Sequence, residues 1–436
     1  MRKTIKLMAA LTLACATSSS IVACTNPFAD ENVFRIAIVT DGHVITDHSF
    51  NESAYNGALK FKSEFEEWIG DESSSAPENL RNKKVIITPI QPATTDLNTL
   101  LSSYGKAVVM NSSVTIATGS IQSSALVAAQ NGMLKNQMRY IYVDGDTPVK
   151  DVLEKNLAGL LYQAEQSGLM AVMAASAWLM ANGDDYGKNK LKMSSYGGIN
   201  IPQVTNYMYG YYWGIQLLNR IKEYSALETE VKSWVKELNP NFEGDLPQIE
   251  FVKLENQFTG NFDQASPASK ALNSALVDKD VNVIFPVAGP QTSDTISALQ
   301  SKGKNGKVIG VDTGQALQYT ESADYFLTSA LKNIVGSVNY VLWRSIPFGY
   351  YGFTEDAAHT PLTAAQQKEI FETGASRGGK EFIGIADNKP ITPIYNKVVD
   401  SPELAEFIQK VSEGWTKVLA HGTDYWNYGL KTDPFI

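Results

Sequence analysis

The stretch Phe34-Arg35-Ile36-Ala37-Ile38-Val39-Thr40, closed by Asp41-Gly42, decides the fold. It is a nearly continuous apolar run rich in β-branched residues, and it stops at a turn dipeptide. A run of that length and composition reads as a buried strand followed by a turn. Asn51 to Trp68 comes next with helical spacing, carrying Tyr55, Leu59, Phe61, Phe65 and Trp68. Strand and helix together make one βα unit.

Working outward, the unit repeats. After the charged, serine-rich loop 71–79, the chain offers strand Lys84–Ile90, helix Thr95–Leu101, strand Ala107–Met110, helix Ile121–Lys135 and strand Tyr140–Asp144. The rhythm restarts after Asn156. Helix Gln163–Asn182, strand Lys192–Tyr196, helix Pro202–Tyr224, strand Gln248–Leu254 and helix Pro267–Val277 come first. Strand Val281–Pro286, helix Thr292–Ser301, strand Lys307–Asp312, strand Tyr325–Ser329 and helix Leu331–Trp343 follow. Two successive arrays of this kind predict two doubly wound parallel sheets, with ligand at the carboxyl ends of the strands. Those ends carry Asp41, Asn111, Asp144, Gly197-Gly198, Ala288-Gly289 and Asp312, which are expected to converge on a cleft between two lobes. The tail is less regular. Residues 344–378 read as a loop with one helix (Thr363–Glu372), Lys380–Ile385 and Ile391–Tyr395 as a hairpin, and Glu403–Leu419 as an amphipathic helix before an aromatic end that packs.

Composition narrows the function classes. The 436 residues carry a net charge of −9, which argues against a nucleic-acid partner. Arg2, Lys3 and Lys6, the apolar run Leu7–Ala16, and small residues up to Ile21-Val22-Ala23-Cys24 follow the order of a secretory signal. With cysteine just past the cut, the segment resembles a bacterial lipoprotein signal, which implies lipidation at Cys24. The apolar run is far short of the ~20 residues that a membrane span needs. Two acyl chains on Cys24 would give a stable anchor. The body beyond Cys24 has no cysteine, which excludes a disulfide scaffold, a Cys-based metal site and a Cys nucleophile. No cofactor is expected.

Catalytic arrangements are missing: there is no GxSxG elbow, Walker loop, GxGxxG or HExxH. Asp41-Gly42-His43 with Asp47-His48 places two acids and two imidazoles in the first strand–helix loop. They read either as divalent-metal ligands or as solvent-exposed loop histidines, the second reading being preferred. In the same loop Ser49 or Asn51 could cap the helix. Phe50 would then either project into the cleft, where its ring would stack a flat ligand, or serve as a hydrophobic staple.

The segment Asp41…Asp47-His48-Ser49-Phe50-Asn51…Gly57 resembles the D…DxSFN…G signature of the basic membrane protein family, lipoproteins that include the spirochaete-type purine nucleoside receptor. Further blocks resemble the family in the same order. They are Tyr196-Gly197-Gly198 up to Pro202, Tyr207-x-x-Gly210-Tyr211-x-x-Gly214, Ile284 to Gly289, Ile309-Gly310-Val311-Asp312, and Leu327 to Asn333. The resemblance spans residues 34–340.

It implies a type I periplasmic-binding-protein fold, α/β with two doubly wound lobes joined by a hinge, serving an ABC importer of nucleosides. The expected plan is a signal at 1–23, a tether at 24–32, one lobe from 33–152 plus about 330–345, a second lobe from 153–329, and an extension at 346–436 packing on the lobes. Carried over by position, Phe50 would stack on the base, with Tyr207 as the second stacking aromatic. Asp41 and Asn51 would bond the base's polar edge or hold the loop. Gly289 would let backbone approach the ligand, Asp312 would take ribose hydroxyls, and Lys332 would hydrogen-bond the ligand from the returning helix. Ser124 stands where the family has an acidic contact. The expected partners are a nucleoside, the permease with its ATPase subunits, and the membrane through the anchor, on the extracytoplasmic face and as a monomer. A sugar receptor of the same fold and a nucleoside-cleaving hydrolase are the rival readings.

Overall fold

The computed structural model describes residues 28–47, 49–74, 76–131, 139–145, 157–186, 191–345, 383–422 and 424–436. Cys24, His48 and the expected helix Thr363–Glu372 lie outside them. Asn32–Ile436 form one compact unit.

Within that unit the strands make two sheets. The first contains β1 (Val33–Val39), β2 (Lys84–Ile90), β3 (Val114–Thr118), β4 (Tyr140–Val143) and β5 (Leu157–Leu160) in the order β2-β1-β3-β4-β5. All of its pairs are parallel, with Val33 opposite Lys84 and Ile36 opposite Val114. The second contains β6 (Leu191–Gly197), β7 (Ile249–Phe251), β8 (Val283–Val287), β9 (Lys307–Asp312), β10 (Phe326–Lys332) and β11 (Ile383–Ile385) in the order β11-β10-β9-β8-β6-β7. It is parallel except for β11 at the edge. β1, buried along its last four residues, has the helix Phe50–Gly70 on one side; that helix turns Ala54, Ala58, Phe61 and Phe65 into the core.

The chain passes from the first lobe to the second after β5 and returns after Lys332. The helix Ile334–Ser345 then packs on the helix Phe50–Gly70. Gly57 permits that contact, since a Cβ there would come within 2.8 Å of Val338. In the second lobe the apolar helix Ala164–Ala181 lies against Pro202–Asn219 so closely that a Cβ on Gly210 would sit 1.8 Å from the Glu165 carbonyl oxygen. This close packing seats the Tyr207 ring against Phe285 of β8, with its hydroxyl at Asp312, the last residue of β9.

Several expectations are corrected. Ala107–Met110 is no strand but the end of the helix Leu97–Val109, in which Leu100, Ser103, Tyr104 and Ala107 recur at helical spacing and Val109 is exposed. The strand is Val114–Thr118, so Asn111 sits before it, away from the strand ends that face the cleft. β5 belongs to the first sheet, and the helix Ser225–Leu238 follows a helix that stops at Asn219 rather than Tyr224. Lys332 ends a strand instead of starting a helix. The hairpin does not form: Ile383–Ile385 pairs with β10, and the segment from Ile391 is turn and helix, Pro393 lacking the N–H a ladder needs. The amphipathic helix is Pro402–His421, and the aromatic end does pack, with Trp426 buried against Tyr212 and Phe251.

Candidate ligand-binding site

A cavity of about 480 Å³ lies between the carboxyl ends of the two sheets and takes its walls from both lobes. Strand order reverses beside β1 in the first sheet and beside β6 in the second. The crevice at such a switch point is where open α/β sheets bind ligands.

The first-lobe wall is built on carboxylates. Asn51, fully buried, donates through Nδ2 to Asp41 at 2.7 Å and to Asp47 at 2.8 Å, while its oxygen accepts from Thr118. Asp47, not Ser49 or Asn51, caps the following helix: its carboxylate accepts the N–H groups of Ser49, Asn51 and Glu52. Phe50 is thereby held half-buried on the cavity wall. His43 packs its Nδ1 3.0 Å from Asp41. Burial pushes Asp41 up, yet the hydrogen bonds from His43 and Asn51 and the His43 charge outweigh it, and the carboxyl is held below its ordinary value. Asp47 is raised, burial outweighing its N–H bonds.

At the floor, Lys332 reaches Asp144 at 2.9 Å and Asp312 at 3.5 Å and lies 4.8 Å from the Tyr207 ring centre. Tyr207 donates its hydroxyl to Asp312 at 3.2 Å. Asp144 and Asp312 both leave their strands in the left-handed region, with φ of 64° and 62°, which turns the chain at once and brings each carboxylate to the cavity. Burial pushes Asp144 up to about 6 against the pull of Lys332, and its Oδ1 has no hydrogen-bond partner. Burial lowers Lys332, but the two carboxylates outweigh it and keep the ammonium charged. Gly289, at φ 53°, faces Ser49 across the cleft; a Cβ there would meet the serine hydroxyl at 3.1 Å.

Asp41, Phe50, Tyr207, Gly289, Asp312 and Lys332 are thus brought to one cavity. Asn51 lies behind the wall and holds the loop. Ser124 is exposed in the first turn of its helix and does not line the cavity; Ser120 and Ile121 occupy that wall. Tyr207 is fully buried, with Lys332 over its ring, and so offers no open face for stacking. Half-buried Phe262 also lines the cavity, and no periodicity marks it in the sequence because it sits in an irregular loop. Asp144, expected at the cleft as a strand end, does line the cavity, and the sequence carries no sign of its pairing with Lys332. His43 is no free loop histidine, and among the described residues no three His, Cys, Asp or Glu side chains converge as a metal site. Among them, too, no helix is long and apolar enough to cross a membrane.

Comparisons with known proteins agree with this architecture. The fold resembles a solute-binding protein of an ABC transporter system from Aeropyrum pernix, with a TM-score of 0.53 at 16% identity, over 87% of this chain and 90% of that one. It also resembles a transcriptional activator of the comK gene from Bacillus halodurans, with a TM-score of 0.50 at 13% identity, over 86% and 98%. Likeness at these identities is one of fold, the periplasmic-binding-protein fold. In sequence the chain is 23% identical to an uncharacterized lipoprotein of Mycoplasma genitalium over 63% of its own length and 54% of the relative's, so it spans about half of that protein. It is 23% identical to basic membrane protein A of Borreliella burgdorferi over 70% of each chain. The model of the Bmp family, described as PnrA-like ABC transporter substrate-binding proteins, matches residues 34–229 and 250–347, and the chain belongs to that family.

Proposed function

We propose that this chain is a lipid-anchored, extracytoplasmic receptor that captures a nucleoside, purine by preference, and delivers it to an ABC importer. The observation that carries the reading is the pairing of a half-buried aromatic wall, Phe50, with a carboxylate held at the opposite strand end, Asp312. A flat base lies against Phe50, with Phe262 opposite, and the ribose hydroxyls donate to Asp312. Asp144 Oδ1, buried and unpartnered, takes a further donor from the ligand. Aromatic contact supplies ~0.5–1.5 kcal/mol beyond area burial. Hydrogen bonds to a charged group add ~1.5–3 kcal/mol each. With ring burial these reach micromolar or tighter affinity, and hinge closure of the two lobes suffices for capture.

Mass spectrometry of ligand released from natively purified protein tests the reading, followed by calorimetry with inosine, guanosine, adenosine, ribose and galactose. A released nucleoside and saturable nucleoside binding are the expected results. Binding of ribose or galactose alone would replace the nucleoside reading with a sugar receptor, and free base appearing from inosine would replace it with a hydrolase.

A further inference from the structure

Among the described residues, two ion pairs join the lobes at the cavity, one buried and one exposed. The inner one, Lys332 to Asp144, is buried beside the chain crossing at Asn333. The outer one joins His43 of the first-lobe loop to Asp263 of the second lobe, Nε2 to Oδ1 at 3.5 Å, with side chains 35% and 72% exposed. His43 holds a carboxylate on each nitrogen, since Nδ1 lies 3.0 Å from Asp41. Neutral imidazole has one N–H, so serving two carboxylates at once requires the imidazolium. Asp41 is in turn fixed by Asn51, which binds Thr118 at the end of β3. A continuous chain of polar contacts therefore runs from the first sheet to the opposite lobe.

We propose that His43 is a positioning residue that clasps the mouth of the cavity, tying the Asp41 carboxylate to Asp263 so that ligand leaves only after this contact breaks. The clasp rests on the reading that the cavity holds a ligand, but not on which ligand. The charged groups facing the ring are Asp41 and Asp47 from its own loop and Asp263 from the opposite lobe. The hydrogen bond to Asp41 is the largest influence and, against desolvation, raises His43 to about 9, with Asp263 contributing. Opening removes Asp263 and lowers that value, so closure binds protons. The clasp is complete at neutral pH and is lost as pH rises through about 9.

The test measures dissociation of inosine and guanosine by stopped-flow fluorescence, in the wild type, Asp263→Asn and His43→Gln, from pH 7 to 10. At pH 7.5 the variants should release ligand about two- to fivefold faster, which is the worth of an exposed ion pair. The wild-type rate should climb toward the variants' above pH 9, while the variants stay flat. Equal rates and parallel pH profiles would overturn the clasp. A second arm needs no ligand: spin labels at Lys60→Cys and Lys270→Cys, on exposed helix positions of the two lobes, report the closed fraction. Asp263→Asn should lower it, and an unchanged distance distribution also counts against the clasp. If neither nucleoside binds while this distance still shifts, the nucleoside reading falls and the clasp stands.

Discussion

Lys332 and Asp144 meet across the cleft at 2.9 Å, with the lysine side chain only 2% exposed, so the pair that joins the lobes is sealed from solvent beside the chain crossing. Asp312, 3.5 Å from the same ammonium, makes one cation serve two carboxylates. Neither lobe could carry this arrangement alone, since the lysine ends β10 and Asp144 follows β4. The floor of the cavity and the hinge are therefore the same structure.

Lys332→Met should expose the cost of that design. Removing one partner of a buried pair leaves uncompensated charge, worth ~3–5 kcal/mol. Urea denaturation at pH 7 should show a loss of that size. The loss should shrink on acidification. Asp144 already titrates at about 6 with Lys332 present, and without the cation its folded-state value rises further above the unfolded one. The folded state then binds more protons, so stability increases as pH falls from 7 to 5. A variant whose deficit grows on acidification would contradict the pairing.

The C-terminal segment beyond the family match is built into the second lobe. Trp213 donates to the Gly429 carbonyl at 3.0 Å, Arg220 pairs with Asp433 at 2.8 Å, and Trp426 packs near Phe258, which bridges to Gly197. Trp426→Ala should cost ~3–5 kcal/mol in denaturant unfolding, as deletion of a buried indole does. A loss under 1 kcal/mol would show that the tail only rests on the lobe.

Much of this fold was legible because its strands are short, buried and followed by helices. β2 and β9 keep their expected bounds, since Lys84–Ile90 and Lys307–Asp312 are apolar runs closed by turns. Ala107–Met110 misled because four apolar residues fit either period, and the choice depends on Tyr104 packing at the core, a tertiary fact. The hydrogen bonds of Asn51 were illegible for the same reason: Thr118 lies 67 residues away and reaches it only through the parallel pairing of β1 and β3. Asp41, Gly289 and Asp312 were legible because strand ends in such sheets meet at one crevice. Phe262 was not, since no periodicity governs a loop.

Anchoring can be read directly. Cys24 follows Ile21-Val22-Ala23, so cells expressing the wild type should incorporate labelled palmitate into this protein, and Cys24→Ser should abolish the label. Label incorporation decides the matter better than fractionation, because an uncleaved apolar leader could retain the variant at the membrane. An unlabelled wild type would remove the lipid anchor from the proposal.

The sharpest test of the pocket separates the two ends of the ligand. Asp312 receives the Tyr207 hydroxyl at 3.2 Å and keeps its carboxylate at the cavity, so a ribose hydroxyl can donate to it. Asp312→Ala should weaken nucleosides by ~1.5–3 kcal/mol, about one to two decades in affinity, and leave free bases nearly unchanged, because they have no ribose. Phe50→Ala should weaken nucleosides and bases alike, since both offer the same ring. Phe262→Ala should follow Phe50→Ala if the two rings face each other across the base. Tyr207→Phe keeps the buried ring and removes only the hydroxyl on Asp312, so it should follow the Asp312 pattern at smaller amplitude. Calorimetric titration of each variant with guanosine, inosine and their bases reads all four patterns. Full nucleoside affinity in a folded Asp312→Ala would place the ribose elsewhere and overturn the assignment.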